Sequence, residues 1–174
     1  LMDGTISVES ELGKGTTFCL RFVIPCIPTN VVRQQEAVKH NKELEIGILK
    51  DKQVLLCEDH PINQEIAARI LERVGMIVTK ANNGKEAVEV FNKVAPDFFR
   101  VIIMDIRMPI MNGLEATKAI RALDREDAKN IPIIAMSANA FEEDVKTSLA
   151  AGMNAHLSKP INPNLLYQTI AKYI

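Results

Sequence analysis

Apolar and polar residues alternate in two short segments at the start of the chain. The alternating apolar positions are Ile6 and Val8 in the first segment and Phe18, Leu20 and Phe22 in the second. Between the segments, residues 11–15 read Glu-Leu-Gly-Lys-Gly, in which glycine permits a tight turn. Alternation with a period of two is typical of a half-buried strand, so residues 1–25 predict a β-hairpin that ends near Pro25.

The stretch from residue 26 to residue 51 has no sustained apolar face. It contains proline, asparagine, glutamine and many charged residues. This composition predicts a linker, with a short helical turn around Gln34–His40.

From residue 52 to residue 174, short apolar runs alternate with segments in which apolar residues recur at helical spacing. The runs predict strands at Val54–Cys57, Met76–Lys80, Val101–Met104, Ile133–Met136 and Ala155–Ser158. The helical positions are Ile66, Ile70, Leu71 and Val74; Ala87, Val88, Phe91 and Val94; Leu114, Thr117, Ile120 and Leu123; Val145 and Leu149; and Leu165, Leu166 and Ile170. Pro61 suits a first helical turn, and Gly75 and Gly152 suit C-terminal caps.

Five strands that alternate with five helices predict a parallel sheet covered on both faces. Right-handed crossovers leave few topologies for such a unit. Its short length favours an α/β, flavodoxin-like (βα)5 doubly wound parallel sheet with strand order 2-1-3-4-5 over a barrel. The N-terminal β-hairpin is a separate fragment in this prediction.

Polar side chains follow four of the predicted strands, at the carboxyl end of each. Glu58 and Asp59 follow the first strand, Asp105 the third, Ser137 the fourth and Lys159 the fifth. In a doubly wound sheet, the carboxyl ends of the strands line one crevice, which is where ligands bind. We therefore expect these side chains to lie close together.

Three carboxylates in one crevice repel one another. At a separation of about 4 Å and an effective dielectric constant near 20, each pair costs about 4 kcal/mol. Either some of the groups are protonated or a cation lies among them. Mg²⁺ prefers oxygen ligands, uses one or two carboxylates and completes its shell with water and phosphate oxygens, so it is the expected cofactor.

Beside Mg²⁺, the carboxylate of Asp105 can attack phosphorus and form an acyl phosphate. Stabilisation of the charge on the transferred group is then the main catalytic requirement. We expect Lys159 and the Ser137 hydroxyl to contact phosphoryl oxygens, and no general base is needed because Asp105 is already ionised.

Residues 52–174 resemble a response-regulator receiver domain. The resemblance is carried by Glu58–Asp59, by residues 104–113 (Met-Asp-Ile-Arg-Met-Pro-Ile-Met-Asn-Gly), by Ser137–Ala138 and by Lys159–Pro160. It implies that Asp105 is the phosphoacceptor and that Asp59, Asp105 and the backbone carbonyl of Arg107 bind Mg²⁺, with Glu58 acting through water. It also implies that Ser137 and Lys159 sense the phosphoryl group and that the Lys159–Pro160 bond is cis.

One position departs from the common pattern of the family. Many receiver domains carry Tyr or Phe three residues before the lysine, as a switch that changes rotamer. Here the residue is His156, which keeps a flat ring but can also take up a proton.

Residues 1–25 resemble the last hairpin of a histidine-kinase ATP-binding domain, through Gly-Thr-Ile-Ser-Val-Glu-Ser at 4–10 and Gly-Lys-Gly-Thr-Thr-Phe at 13–18. Hairpin, linker and receiver in this order imply a hybrid sensor histidine kinase as the parent protein. The implied partner is a histidine-kinase dimerisation domain or a histidine phosphotransfer protein. Because the chain has no Asp-x-Gly-x-Gly lid motif and no helix with a phosphoacceptor histidine, we expect it neither to bind ATP nor to phosphorylate a histidine by itself.

Three other functions fit parts of the pattern. A flavodoxin-like nucleotide carrier needs a Gly/Ser/Thr-rich phosphate loop after the first strand, where this chain has Glu58, Asp59, His60 and Pro61. A dehalogenase-type phosphatase needs a second aspartate two residues after the nucleophile, where this chain has Arg107. A degenerate receiver that acts only as a protein-interaction module is the remaining alternative, and the complete set of site residues argues against it.

Composition excludes some classes of binding partner. The formal net charge of -1 indicates neither a nucleic-acid surface nor a polybasic membrane anchor. No apolar run reaches the length of a membrane span, so we expect no direct membrane contact by this segment. The odd trio Cys19, Cys26 and Cys57 lacks metal-ligand spacing and predicts reduced thiols in the cytoplasm, with Cys57 acting as a small buried apolar residue.

Overall fold

The computed structural model describes residues 4–11, 13–22, 47–138 and 141–174. The chain divides into two compact units, residues 1–39 and residues 40–174. The predicted helical turn at Gln34–His40 and the predicted end of the hairpin near Pro25 lie outside the described residues.

The first unit contains the predicted hairpin. Strand β1 (Gly4–Glu11) pairs antiparallel with strand β2 (Gly15–Phe22). In this register Ile6 faces Leu20 and Val8 faces Phe18, so the four apolar side chains share one face of the ribbon. All four are exposed within the described part of the chain.

The second unit is a five-stranded parallel sheet with helices between the strands. Its strands are β3 (Gln53–Cys57), β4 (Ile77–Ala81), β5 (Val101–Asp105), β6 (Ile133–Ser137) and β7 (Ala155–Ser158). Its helices are α1 (Pro61–Glu72), α2 (Gly84–Lys93), α3 (Gly113–Arg121), α4 (Glu126–Asn130), α5 (Glu142–Ala150) and α6 (Pro163–Tyr173). The strand order β4-β3-β5-β6-β7 is the predicted order 2-1-3-4-5. The α/β fold class is therefore confirmed.

The three central strands β3, β5 and β6 are buried along almost their whole length. Their near-continuous apolar sequences suit a sheet that helices cover on both sides. Two apolar clusters form the core, one containing Phe91 of α2 and the other containing Leu71 of α1. This packing holds the carboxyl ends of β3, β5 and β6 at one edge of the sheet.

Some details differ from the predicted pattern. Helix α4 was not predicted, because five residues with Ala128 as the one apolar side chain cannot show a helical period. On α1, Ala67, Ala68 and Leu71 are buried but Ile66 is half exposed, because the helix turns its small residues toward the sheet. Leu49, which falls in the predicted linker, is completely buried in the core.

Local stop and start signals were placed correctly. Pro61 is the first residue of α1, and Gly75 and Gly152 have φ angles of +80° and +101°, which glycine tolerates best. Cys57 is buried, as expected. Among the described residues, no helix is both long enough and apolar enough to span a bilayer.

Candidate metal centre

The polar residues predicted at the strand ends meet at one edge of the sheet. Glu58 and Asp59 follow β3, Asp105 is the last residue of β5, Ser137 is the last residue of β6, and Lys159 follows β7. Each carboxylate of Glu58, Asp59 and Asp105 offers an oxygen, and these oxygens all lie within 4.8 Å of one another. The structure therefore forms the acidic cluster that the sequence predicts.

Two of the three carboxylates are almost completely removed from solvent. Glu58 is 1 % exposed and Asp105 is 5 % exposed, whereas Asp59 is exposed. Burial of two neighbouring negative charges is unfavourable unless a cation compensates them. Asp59 leaves the cluster open to solvent on one side.

Lys159 supplies a positive charge inside the cluster. Its ammonium donates to Glu58 Oε2 at 2.6 Å and to Asp105 Oδ2 at 2.7 Å. Burial alone would lower the pKa of Lys159, but the hydrogen bonds to Asp105 and Glu58 outweigh burial and hold that pKa above its ordinary value. The lysine is thus a permanent cation at neutral pH.

Two residues on α1 support Glu58 and were not predicted. Asn63 Nδ2 donates to Glu58 Oε1 at 3.1 Å. Gln64 Nε2 donates to the backbone carbonyl of Glu58 at 2.9 Å and to that of Ala81 at 3.2 Å, which ties the ends of β3 and β4 together. The signal in the sequence was a glutamine at a helix position that faces the core.

The loop after β5 folds back on Asp105. The Arg107 amide donates to Asp105 Oδ1 at 3.2 Å, and the Gly113 amide donates to the Ile106 carbonyl at 3.0 Å. A Cβ atom at Gly113 would collide with the carbonyl oxygen of Asp105, so the close approach requires glycine. The carbonyl of Arg107 as a metal ligand stays a prediction.

Ser137 and His156 contact each other across β6 and β7. Ser137 Oγ lies 2.8 Å from His156 Nε2. Ser137 is one residue beyond Met136, which is paired in register with Asp105, so Ser137 ends β6 at the same edge of the sheet as the acidic cluster. The Lys159–Pro160 peptide bond is cis, as predicted.

The donor set fits a hard divalent cation. Its three side chains offer only carboxylate oxygens, one of them on the solvent side, which matches the ligand preference of Mg²⁺ and leaves room for water or a phosphate oxygen. Soft ligands are absent from this described cluster, which disfavours zinc or copper.

Comparison with known proteins places these residues in context. The family model for the response regulator receiver domain matches residues 54–171. Hybrid signal transduction histidine kinase I of Dictyostelium discoideum is 40 % identical over 129 residues, which cover 71 % of this chain and 7 % of that protein. Aerobic respiration control sensor protein ArcB of Escherichia coli is 34 % identical over 173 residues, which cover 99 % of this chain and 21 % of that protein.

The curated relatives are much longer than this chain, which spans between 7 % and 21 % of their lengths. With ArcB, the similarity extends over nearly the whole chain and so includes the hairpin as well as the parallel sheet.

Solved structures give the same picture of the second unit. A receiver domain of a Pseudomonas aeruginosa sensor histidine kinase, with a magnesium ion coordinated in its active site cleft, is 35 % identical, with a TM-score of 0.64, covering 71 % of this chain and 97 % of that one. A second similar structure is the co-crystal structure of the Saccharomyces cerevisiae histidine phosphotransfer protein Ypd1 with the receiver domain of the response regulator Ssk1. The matching chain is 28 % identical, with a TM-score of 0.63, and the match covers 71 % of this chain and 89 % of that one.

Proposed function

This chain belongs to the response regulator receiver domain family, and from that premise we propose that Asp105 accepts a phosphoryl group from a phosphohistidine. The observation that carries the proposal is the cluster in which Lys159 bridges Glu58 and Asp105 beside exposed Asp59. The buried carboxylate of Asp105 would by itself repel an anionic phosphoryl donor. The Lys159 ammonium beside it offsets this repulsion, and exposed Asp59 keeps the site accessible from solvent.

Glu58, Asp59 and Asp105 are the side chains that would hold Mg²⁺, together with the Arg107 carbonyl. When bound, the ion supplies positive charge against the oxygens of the incoming phosphoryl group. Glu58 is hydrogen-bonded to Asn63 and to Lys159, which fix the orientation of its carboxylate for the proposed role through water.

Asp105 acts as the nucleophile. One of its carboxylate oxygens bonds to phosphorus while the bond from phosphorus to the donor imidazole nitrogen breaks, and the electron pair leaves with the imidazole. The Lys159 ammonium donates to Asp105 Oδ2 at 2.7 Å, so a positive charge lies beside the attacking carboxylate. The Arg107 amide and Lys159 hold the two oxygens of Asp105 separately, which orients the carboxylate for attack.

Lys159 and Ser137 then bind the transferred group. The Lys159 ammonium already lies at the Asp105 carboxylate, so a small movement brings it to a phosphoryl oxygen. We propose that the Ser137 hydroxyl, at the end of the adjacent strand, donates to another oxygen once it turns from His156. These two contacts distinguish the phosphorylated from the unphosphorylated state, and His156 responds through Ser137.

The partner that delivers or receives the phosphoryl group is a histidine phosphotransfer protein or a histidine-kinase dimerisation domain. Exposed apolar side chains lie on the segments that follow the acidic residues in the chain: Ile62 and Ile66 on α1 are 63 % and 51 % exposed, and Ile110 after β5 is 80 % exposed. A groove of about 110 Å³ between Ile66, Lys159 and Ile161 continues this surface. An apolar rim around a charged centre suits a helical partner that presents its phosphohistidine to Asp105.

Membership of the receiver family also suggests a domain for each remaining part of the chain. Residues 1–25 are proposed as the last hairpin of a histidine-kinase ATP-binding domain, 26–51 as a linker and 52–174 as the receiver. The parent protein is then a hybrid sensor histidine kinase whose receiver faces the cytoplasm. The match with ArcB over 99 % of the chain supports this order of segments.

The test is peptide mapping after incubation with acetyl phosphate, with and without Mg²⁺. Reduction with borohydride marks an acyl phosphate by converting the carboxyl group to an alcohol, which mass spectrometry locates. We expect the mark on Asp105, dependent on Mg²⁺, and none in Asp105→Asn. A mark on another residue moves the acceptor, and no mark at all favours a receiver that acts only as an interaction module.

A further inference from the structure

A chain of hydrogen bonds runs from the phosphoacceptor edge of the sheet to helix α5. Ser137 Oγ at the end of β6 lies 2.8 Å from His156 Nε2 on β7. The other ring nitrogen, Nδ1, lies 3.0 Å from Ser148 Oγ on α5. Ser148 is completely buried and Ser137 is 5 % exposed, so solvent does not replace these contacts.

The direction of each hydrogen bond follows from Ser148. Its hydroxyl has one proton, which it donates to the Val145 carbonyl at 2.8 Å. Toward His156, Ser148 can therefore only accept, so Nδ1 carries the proton. In a neutral imidazole, Nε2 is then the acceptor, and Ser137 donates its hydroxyl proton to it.

In this arrangement Ser137 donates its hydroxyl proton to His156 Nε2, so that proton is not available for a hydrogen bond to a phosphoryl group. When the Ser137 hydroxyl turns to donate to a phosphoryl oxygen, the lone pair of His156 Nε2 faces an oxygen that offers it no proton. Protonation of the ring removes the conflict, because an imidazolium donates at both nitrogens and both serine oxygens can accept. The negative charge of the phosphoryl group also favours protonation of the His156 ring.

We propose that Ser148 is a positioning residue that fixes the Nδ1–H tautomer of His156 and thereby couples phosphoryl capture by Ser137 to proton uptake by His156. The step is balanced: one O–H···N hydrogen bond is replaced by one N–H···O hydrogen bond, and the added proton comes from solvent. The inference rests on the proposed contact between Ser137 and the phosphoryl group.

The titratable groups nearest to His156 on the adjoining elements lie on α5 and just beyond the end of β7. Strand β6, one neighbour of β7, has no titratable side chain. On α5, the other neighbour, Asp144 is half-buried one turn before Ser148, while Glu142, Glu143 and Lys146 are exposed. Beyond the end of β7, Lys159 is engaged by Glu58 and Asp105.

The first measurement is the tautomer of His156 in the unphosphorylated receiver, from ¹⁵N chemical shifts of its ring at pH 8. We expect a protonated Nδ1 and an unprotonated Nε2 in the wild type and in Ser148→Thr, which keeps the hydroxyl. Ser148→Ala should shift the ring toward the Nε2–H form. The matched control is Thr147→Ala, which removes a neighbouring hydroxyl that donates to the Glu143 carbonyl on the exposed side of the helix. An Nε2–H ring in the wild type would overturn the proposal.

The second measurement is binding of beryllofluoride with Mg²⁺, as a phosphoryl mimic, between pH 5.5 and pH 8. The quantity compared is the ratio of the wild-type affinity to the affinity of His156→Phe at the same pH. This ratio should be at least about fivefold higher at pH 5.5 than at pH 8. The pKa of His156 should rise when the mimic binds. Ser148→Ala should lose most of this pH dependence and Thr147→Ala should keep it.

The two ideas fail in different ways. Binding of the mimic with an unchanged His156 pKa and a constant affinity ratio would overturn the coupling and leave the phosphoacceptor site intact. Absence of binding at every pH would overturn the proposed function and this inference with it.

Discussion

Lys159 Nζ lies 2.7 Å from Asp105 Oδ2, although 54 positions separate the two residues in the chain. The contact exists because β5 and β7 are parallel strands of one sheet and deliver their ends to the same edge. The same ammonium reaches Glu58 at 2.6 Å, so one cation lies between two buried carboxylates. The lysine therefore stabilises the folded site and prepares it for an anionic phosphoryl group.

Replacement of this lysine should affect both stability and chemistry. In Lys159→Met, the carboxylates of Glu58 and Asp105 lose their buried counter-ion, so the free energy of unfolding without Mg²⁺ should fall by about 3 kcal/mol. Labelling of Asp105 by acetyl phosphate should slow by about 100-fold, because a phosphoryl oxygen loses its cation. Urea unfolding and mass spectrometry measure the two effects.

Lys80→Met is the matched control. Lys80 also bridges two elements, donating to Glu65 at 2.9 Å, but both side chains are exposed. Its removal should leave the free energy of unfolding and the labelling rate nearly unchanged. Equal effects from the two variants would mean that the contact of Lys159 with Asp105 contributes no more to stability or to the labelling rate than an exposed ion pair does.

Mg²⁺ should stabilise the folded receiver through the acidic cluster. The ion binds the folded arrangement of Glu58, Asp59 and Asp105, so at a concentration of 100 times its Kd it should add about 2.7 kcal/mol to the free energy of unfolding. Thermal unfolding with and without Mg²⁺ measures the gain. Asp59→Ala should remove it without loss of fold, because Asp59 is exposed.

Asp124→Ala controls for loss of surface charge, since Asp124 is exposed and distant in sequence from the cluster. This variant should keep the full response to Mg²⁺. A melting temperature that does not respond to Mg²⁺ in the wild type would contradict the metal site.

The strand ends could be predicted from the sequence because each central strand is a run of apolar residues followed at once by a polar one. Parallel order then brings Asp59, Asp105 and Lys159 to one edge without further information. Contacts that depend on how a helix is rotated against the sheet could not be predicted. Ser148 reaches His156 only through the packing of α5 on β7, and no spacing between positions 148 and 156 indicates it.

Arg121 shows the same limit. Its guanidinium donates to the carbonyls of Ala128, Ile131 and Gly152, which joins the end of α3 to α4 and to the turn before β7. Burial lowers the pKa of Arg121, yet the sequence shows only a charged residue near the end of a helix. Such a network depends on three segments that meet in space, which a linear pattern does not encode.

Acid should weaken the fold partly through Asp127. Its carboxylate accepts from Arg125 at 2.7 Å on each oxygen and from the Asp97 amide at 2.9 Å. The hydrogen bond from Arg125 lowers the pKa of Asp127 below its ordinary 3.8. Because the folded-state pKa is the lower one, this stabilisation is present above about pH 4 and is lost as the pH falls through the folded-state value.

Asp127→Asn should therefore lower the free energy of unfolding by about 2 kcal/mol at pH 7. The difference between wild type and variant should shrink as the pH falls below 4, in urea titrations at several pH values. Glu126→Gln, at the exposed neighbouring position, should show no such convergence. A constant difference at all pH values would assign the effect to packing instead of charge.

The apolar rim can be tested apart from the chemistry of Asp105. Ile66 is 51 % exposed and lines the groove beside Lys159, whereas Ile77 is 47 % exposed on the edge strand β4. If α1 contacts the partner, Ile66→Gln should slow transfer from a phosphorylated histidine phosphotransfer protein by about tenfold, the effect of losing one central apolar contact. Ile77→Gln is equally polar but lies elsewhere, so it should transfer at the wild-type rate. Labelling by acetyl phosphate, which needs no docking, should be similar in both variants; slower labelling of Ile66→Gln by this small donor would place its defect in the site itself.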